Sequence, residues 1–308
     1  MNHGAMIETI STPSDAGSVT LAVLLTCFNR REKTLECLRA LASSSNLETV
    51  QLHAVLVDDG STDGTAQAVR AEFPWVDVIV ADGSLFWCRG MHLAFATAMR
   101  SGFDFYLWLN DDTVLMPDAV DRLLACAAEL TQRRKTPVVV VGNTQDSVTG
   151  AHTYGGERQL PWSRGFKFQR VALSALPQPC ETLTGNIVLI SAQAAKQVGN
   201  LDPQFEHAMG DTDYGLRANK LGVELWIAPG AHGTCSHNPV VNTYVDASLP
   251  FSERWKRMLH RKGLPWRSWL IFTRRHAGVI WPLHFAWPYF KLVFGRPFAV
   301  FARRMLPF

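Results

Sequence analysis

The sequence lacks the markers of several large protein classes. It has six cysteines, at positions 27, 37, 88, 126, 180 and 235, but no CxxC pair and no Cys/His spacing of a metal site. That argues against a disulfide scaffold or a zinc module, and the thiols are expected to be reduced in a cytosolic setting. No basic region followed by an apolar run opens the chain. Residues 1–18 are rich in Ser, Thr, Gly and Asp and read as a flexible N-terminal arm. No segment reaches the roughly 20 apolar residues of a membrane span. The longest charge-free stretch in the C-terminal part, residues 276–290, has 15 residues and contains Pro282 and Pro288. No internal repeat is visible. Charged residues are sparse at 19%, but hydrophobic residues reach 47% of the 308, which excludes disordered and collagen-like chains. Residues 19–250 suffice for one large α/β domain with a full core.

The small net charge is a cancellation. Lys and Arg number 30, Asp and Glu 27, for a formal total of +3. Residues 251–308 hold 12 bases and one acid, Glu253, hence +11; the other 18 bases and 26 acids give residues 1–250 a charge of −8. Five of the ten Trp also lie in the last 58 residues. An acidic body with a basic, Trp-rich tail implies two tasks on one polypeptide.

Apolar runs such as VTLAVLLT (19–26) mark strands buried on both faces. Strands are expected at 19–26, 50–57, 76–81, 103–109, 138–141, 182–191 and 223–228. Helices are expected at 31–44, 63–73, 91–101, 117–132 and 211–221, the last capped near Asp211 or Thr212 and stopped by Gly222. Residues 144–180, with Gly155-Gly156, Pro161, Gly165, Pro177 and Pro179, read as hairpins and loops. Strands alternating with helices imply βαβ units and a mostly parallel sheet. Such sheets bind ligands beyond the carboxyl ends of their strands, where three polar clusters fall: 26–30, 58–65 and 110–113.

The first acidic cluster, Asp58-Asp59-Gly60-Ser61-Thr62-Asp63-Gly64-Thr65, is in part a turn, with Asp63 capping the next helix. Two adjacent carboxylates at the end of an apolar strand suit hydrogen bonds from a nucleobase or ribose. The second, Asn110-Asp111-Asp112, follows FYLWL; carboxylates beside a core strand need a positive partner, and Mg²⁺ or Mn²⁺ with a diphosphate is the natural guest. The alternative is a turn before the helix at Pro117. The third, Asp211-Thr212-Asp213, opens a helix, where acids also serve the dipole. Arg89, with Gly90 after it, could meet a phosphate or lie on the surface. His232 and His237 flank Cys235 and are read as structural more readily than as metal ligands.

The stretches LLTCFNR (24–30), VDDGSTDGT (57–65), LNDDT (109–113), TGNIVLIS (184–191) and DPQFEHAMGDTDYGLRANKLG (202–222), in this order, resemble the inverting glycosyltransferases of family 2, of bacterial surface-polysaccharide type. The resemblance covers roughly residues 19–235. It implies a GT-A nucleotide-sugar-binding fold, α/β and Rossmann-like, and a transferase acting from a nucleotide-sugar donor. Thr26, Phe28 and Arg30 would line the nucleotide pocket, Asp58 would touch the base, and Asp59 would lie beside it; Arg89 is counted with the nucleotide-sugar contacts as the residue that could meet a phosphate. Asn110, Asp111 and Asp112 occupy the place of the family's DxD, with Asp112 assigned to the metal. Asp211 matches the carboxylate of the family's Glu-Asp element, the usual general base; the Glu itself is replaced by Gly210, and Asp213 is the substitute candidate.

In the tail, Arg254, Lys256, Arg257, Arg261 and Lys262 alternate with aromatics in short Pro-broken segments, a pattern of amphipathic helices in a membrane interface. The expectation is a peripheral protein on the cytoplasmic face of the inner membrane. The alternatives are a helical layer packed on the body or a homodimer surface; nucleic acid is disfavoured by the acidic body. By analogy with the family, the acceptor would be a polyprenyl-diphosphate-linked saccharide. Two rivals remain: a sugar-phosphate nucleotidyltransferase, which would carry a Gly-rich phosphate loop where residues 26–30 stand, and an inactive scaffold at the membrane.

Overall fold

The computed structural model describes residues 18–44, 49–160, 166–237 and 241–305, with side chains described as far as 294. Apart from Ser18, the expected N-terminal arm lies outside these residues. β1 (Val19–Cys27), β2 (Val50–Asp58) and β3 (Val76–Val80) alternate with α1 (Arg31–Ala42) and α2 (Thr65–Glu72). Next come α3 (Phe86–Ser101), β4 (Phe105–Leu109), β5 (Val114–Leu115), α4 (Ala119–Arg134) and β6 (Val138–Val141). The middle of the chain gives short strands: β7 (Thr144–Gln145), β8 (His152–Tyr154), β9 (Gly156–Gln159), β10 (Phe168–Arg170), β11 (Gln178–Pro179) and β12 (Thr182–Leu183). β13 (Ile187–Ser191), α5 (Ala192–Val198), α6 (Gly210–Lys220), β14 (Glu224–Ile227) and β15 (Gly233–Thr234) complete the body. The tail holds α7 (Phe251–Leu259), α8 (Trp266–His276), a 3-10 turn (Gly278–Ile280) and α9 (Trp281–Met305).

The main sheet has eight strands in the order β11-β14-β6-β13-β4-β1-β2-β3. β1 pairs in parallel with β2 and β4, and β2 with β3. β13 runs antiparallel between β4 and β6, opposing Ile187 to Leu109. The residues entering β13 therefore stand on the same rim as the carboxyl ends of β1, β2 and β4. The sequence reading treats 182–191 as one strand; Thr184, Gly185 and Asn186 interrupt it, and the Asn110 N–H donates to the Asn186 carbonyl there.

Two apolar layers cover the sheet. α1 buries Leu35, Leu38 and Leu41 at helical spacing against one face, together with Val69 of α2 and Leu123 and Leu130 of α4. The other face takes Met91 and Phe95 of α3, Ala194 of α5 and Tyr214 and Ala218 of α6. Two helices depart from expectation. α3 starts at Phe86, five residues before the expected 91, because the Asp59 carboxylate accepts from the N–H groups of Gly83, Leu85 and Phe86; that acceptor comes from a distant loop. α5 was not expected, although Ser191 caps it by accepting from the Ala194 N–H and Gly199 ends it at φ 80°.

The tail does not stop at the body's surface. Trp269 (4% exposed) and Phe272 (1%) of α8 belong to the core that also holds Tyr214 and Phe205. Asp213, fully buried, takes hydrogen bonds from Arg217 Nε (2.8 Å), Arg275 Nη1 (2.7 Å) and His276 Nε2 (2.8 Å). Arg275 Nη2 also reaches Asp202 at 2.6 Å. Residues 251–276 are thus built into the body across the expected boundary at 250/251. The expected break at Pro265 separates α7 from α8, whereas the segments from Trp281 onward are joined into the single helix α9, which runs through Pro288. Among the described residues no helix is long and apolar enough to cross a membrane.

If α8 is part of the core, Trp269→Ala should lower the stability of the whole protein by about 3–5 kcal/mol in one cooperative transition. Thermal unfolding followed by near-UV circular dichroism checks this; an unchanged melting temperature would mean that the tail is independent.

Candidate active site

The rim at the ends of β1, β2 and β4 is stitched together by side chains. Asn29, at φ 51°, accepts from the Thr62 N–H through Oδ1, and its own N–H donates to Ser61 Oγ. Asp63 accepts from the N–H groups of Arg31 and Thr65, tying the starts of α1 and α2. Asp58, 1% exposed, accepts from the Ser61 N–H at 2.8 Å. Gly60, at φ 78°, is obligatory in this turn, since a Cβ there would lie 2.8 Å from the Gly83 nitrogen. Asp59 is spent on the start of α3. Thr26 is buried, donates to the Val57 carbonyl, and faces Gly90, where a Cβ would meet its Oγ1 at 2.3 Å. Phe28, 52% exposed, presents its ring to the rim.

Arg30 ties the end of β1 to the acids that follow β4. One guanidinium nitrogen, Nη1, lies 3.1 Å from Asp111 Oδ1 and 2.8 Å from Asp112 Oδ2. Burial pushes the Asp111 carboxyl up to about 7, with Arg30 opposing. Its second oxygen, Oδ2, is buried with no hydrogen-bond partner. Asn110 is held from the side, its Oδ1 accepting from Trp87 Nε1 at 2.7 Å.

Asp211 sits in the first turn of α6, which begins at Gly210 behind Met209 (φ 73°) with no side-chain cap. Its Oδ2 accepts from the Gly185 N–H at 3.0 Å and its Oδ1 from the Thr212 N–H at 2.8 Å. Burial raises its pKa, and those backbone donors only partly offset the rise. Gly185 packs flat on Trp87, where a Cβ would come within 2.4 Å of the indole. Trp87 therefore spans the gap between Asn110 and the loop that orients Asp211. The hydrogen bond from Trp87 Nε1–H to Asn110 depends on the early start of α3.

Other candidates are placed elsewhere. Arg89 donates to the Pro203 carbonyl at 2.9 Å and lies 3.8 Å from Glu206, facing the loop before α6 rather than the Arg30 cluster. Asp213 is enclosed by two arginines and a histidine; burial opposes its charge, but the hydrogen bonds from His276 and Arg217 outweigh it and hold the carboxyl below its usual range. Glu157 on β9 was missed. Burial, then the charge of Asp211, pushes its carboxyl up to about 7, and nothing in the irregular 144–180 segment singles it out. Gly210 stands where the family resemblance calls for Glu. A Cβ there would lie 2.3 Å from Cys88 Sγ, so the Cys88 thiol fills the space a larger residue would need.

A layered sheet with acids gathered beyond the carboxyl ends of its strands, and one more carboxylate on a helix reached across the antiparallel turn, is the GT-A class of fold. The chain belongs to the family described as glycosyltransferase like family 2, whose model matches residues 18–259. It is 25% identical over 212 residues to N-acetylglucosaminyl-diphospho-decaprenol L-rhamnosyltransferase of Mycobacterium tuberculosis, a match covering 60% of this chain and 66% of that protein. Among solved structures, it is similar to GalNAc-T7 with UDP, GalNAc and Mn²⁺ (TM-score 0.57, 14% identity, 87% of this chain and 59% of that one). It is also similar to S. aureus TarS 1-349 in complex with UDP (TM-score 0.53, 15% identity, 85% and 73%). A third is the mannosyltransferase PcManGT from Pyrobaculum calidifontis in complex with GDP-Man and Mn²⁺ (TM-score 0.52, 15% identity, 94% and 74%). At these identities the structural likeness is one of fold.

The contact between Gly210 and Cys88 yields a direct test. Gly210→Ala should destabilise the protein by about 1–3 kcal/mol through overpacking, and Cys88→Ala in the same chain should recover part of it. Equal melting temperatures for Gly210→Ala and the parent would show that α6 has room there.

Proposed function

We propose that the protein transfers a sugar, with inversion, from a nucleotide-sugar to a hydroxyl of a lipid-linked saccharide, with Asp211 as general base. The observation that carries this is the position of Asp211: a half-buried carboxylate of raised pKa, aimed by two backbone N–H groups, on the same rim as Arg30, Asp111 and Asp112. A raised pKa makes the carboxylate a stronger base toward the acceptor hydroxyl. Asp213 has no such freedom, since both its oxygens are committed to cations. Asp58 and the exposed Phe28 are suited to the nucleoside, and Arg30 to the diphosphate.

A divalent cation fits the acids present. Asp111 and Asp112 share one guanidinium, and Asp111 Oδ2 is buried without a partner. Among the described residues no group of three or more His, Cys, Asp or Glu could hold a metal, so oxygens of the donor diphosphate would complete the shell. Asp112 and Asp111 would hold Mg²⁺ or Mn²⁺, which would neutralise the departing nucleoside diphosphate. Arg30 would then release the acids and turn to phosphate, and Trp87 would keep Asn110 and the Gly185 turn in register.

The acceptor class follows from the rhamnosyltransferase relative, whose name specifies a diphospho-decaprenol substrate. A peripheral position on the inner leaflet accords with the outer side of α9 and the turn before it: Ile280, Leu283, Phe290 and Phe294, at helical spacing, are all exposed. The nucleotidyltransferase alternative loses ground because residues 26–30 are occupied by Asn29 and Arg30 in side-chain contacts rather than by a Gly-rich phosphate loop.

Asp211→Asn should lower transfer by at least about 10²-fold while nucleotide-sugar binding, read as a thermal shift with Mg²⁺ or Mn²⁺, survives. Because folding raises this carboxyl's pKa, the folded state binds its proton more tightly than the unfolded one, so its charge at neutral pH costs stability; the variant should melt no lower than the parent. In the parent, turnover should fall with pH at a value above the ordinary carboxylate range. Full activity in Asp211→Asn would move the base elsewhere.

Leu283→Glu together with Phe290→Glu should reduce co-sedimentation with vesicles containing anionic phospholipid, with the melting temperature unchanged. Undiminished co-sedimentation would remove the membrane assignment of α9.

A further inference from the structure

Between the body and the tail lies a cavity of about 640 Å³ that the transfer chemistry leaves unassigned. Its volume is that of ligand sites in general, about 300–1,000 Å³. One end is formed by Met209 and Thr212, the residues on either side of Gly210-Asp211. The walls are aromatic and aliphatic: Phe166 from the segment before β10, Trp269 and Phe272 from α8, and Trp287 and Leu292 from α9. Three cations, Lys167, Arg254 and Lys291, line the same space, and no acid does. A second cavity of about 590 Å³ shares Tyr244 and Val245 with the first and adds Lys256, Arg257 and Lys262. Its lining contains one acid, Glu253.

Resting on the reading of this protein as a glycosyltransferase with a lipid-linked acceptor, we infer that this cavity binds the isoprenoid diphosphate of that acceptor. The occupant must be amphipathic, because the lining combines a broad apolar surface with an excess of fixed positive charge. A phospholipid would bring charge and chain, but not the saccharide that the proposed reading sets before the base. An isoprenoid diphosphate carrying a sugar has all three parts in the required order. The saccharide end lies toward Thr212 and Asp211, the diphosphate meets the lysine and arginine side chains, and the hydrocarbon passes along Trp287 and Leu292. α9 supplies that last wall, and Trp287 stands one helical turn from the exposed Leu283 and stacks on the exposed Phe290, while Leu292 lies on the opposite, buried side. One helix thus faces both the cavity and the surface through which a lipid would arrive, giving the hydrocarbon a continuous apolar path.

The test uses the full chain and farnesyl diphosphate as probe, followed by quenching of tryptophan fluorescence, since Trp269 and Trp287 line the cavity. Saturable binding is expected, at least tenfold tighter than that of inorganic diphosphate or of farnesol. Trp287→Ala and Lys291→Glu, two independent changes on the outermost helix, should each weaken the probe at least tenfold and leave UDP-induced thermal shifts unchanged. Equal affinity for farnesol would make the cavity an apolar patch, and equal affinity for inorganic diphosphate would make it an anion site; either overturns the proposal, as does wild-type affinity in both variants. The two readings fail separately. If a nucleotide-sugar is transferred to a soluble saccharide but farnesyl diphosphate does not bind, the cavity assignment falls and the activity stands. If the probe binds as described but no nucleotide-sugar does, the activity falls and the lipid site stands.

Discussion

A carboxylate removed from water must be met by hydrogen-bond donors or positive charge, and much of this structure is organised by how completely each acid is met. Asp59 receives three backbone N–H groups and so starts α3. Asp213 receives two arginines and a histidine and so locks the tail to α6. Asp111 and Asp211 are met incompletely: the first keeps a buried oxygen without a partner, and the second has two backbone N–H groups, a long contact from the Thr212 hydroxyl and a raised pKa. Full compensation marks an acid whose work is architectural. Partial compensation leaves a carboxylate with hydrogen-bonding capacity to spare, which is the basis for proposing a cation at Asp111 and an acceptor proton at Asp211.

The same principle explains the tail. Its surplus of positive charge suggested a role at anionic lipid, and part of it is spent inside the molecule. Arg275 pairs with Asp202 and Asp213, and Arg261 lies against Glu206 and over the Phe86 ring. What remains outside the body's ion pairs is the exposed apolar side of α9, with Leu283, Phe290 and Phe294, and the cations Lys167, Arg254 and Lys291 that line the cavity between tail and body. Acidic body and basic tail are thus complementary halves of one folded unit in which α8 closes the core beside α6.

Much of the sheet was legible because its signal is local. Apolar runs such as residues 19–26 and 138–141 are buried on both faces, and polar residues begin where those strands end. The antiparallel turn of β13 was not legible, since Gly185 and Asn186 leave the run apolar on either side. Nor was the early start of α3, which rests on Asp59 from a loop 24 or more residues earlier in the chain. Glu157 was invisible for the same reason: its environment is created by Asp211, far along the chain.

The sequence alone determined the family, the order of the strands along the chain and the collection of acids at their ends, because motif spacing and apolar runs act over a few residues. Only the tertiary structure decided which acid does what. Asp211 and Asp213 are two residues apart on one helix and indistinguishable by composition. One turns to the rim and is held by backbone N–H groups, while the other turns into the core and meets Arg275 and His276, more than 60 residues later. The roles differ because a side chain's direction around a helix, and the charges that distant segments bring to it, are properties of packing.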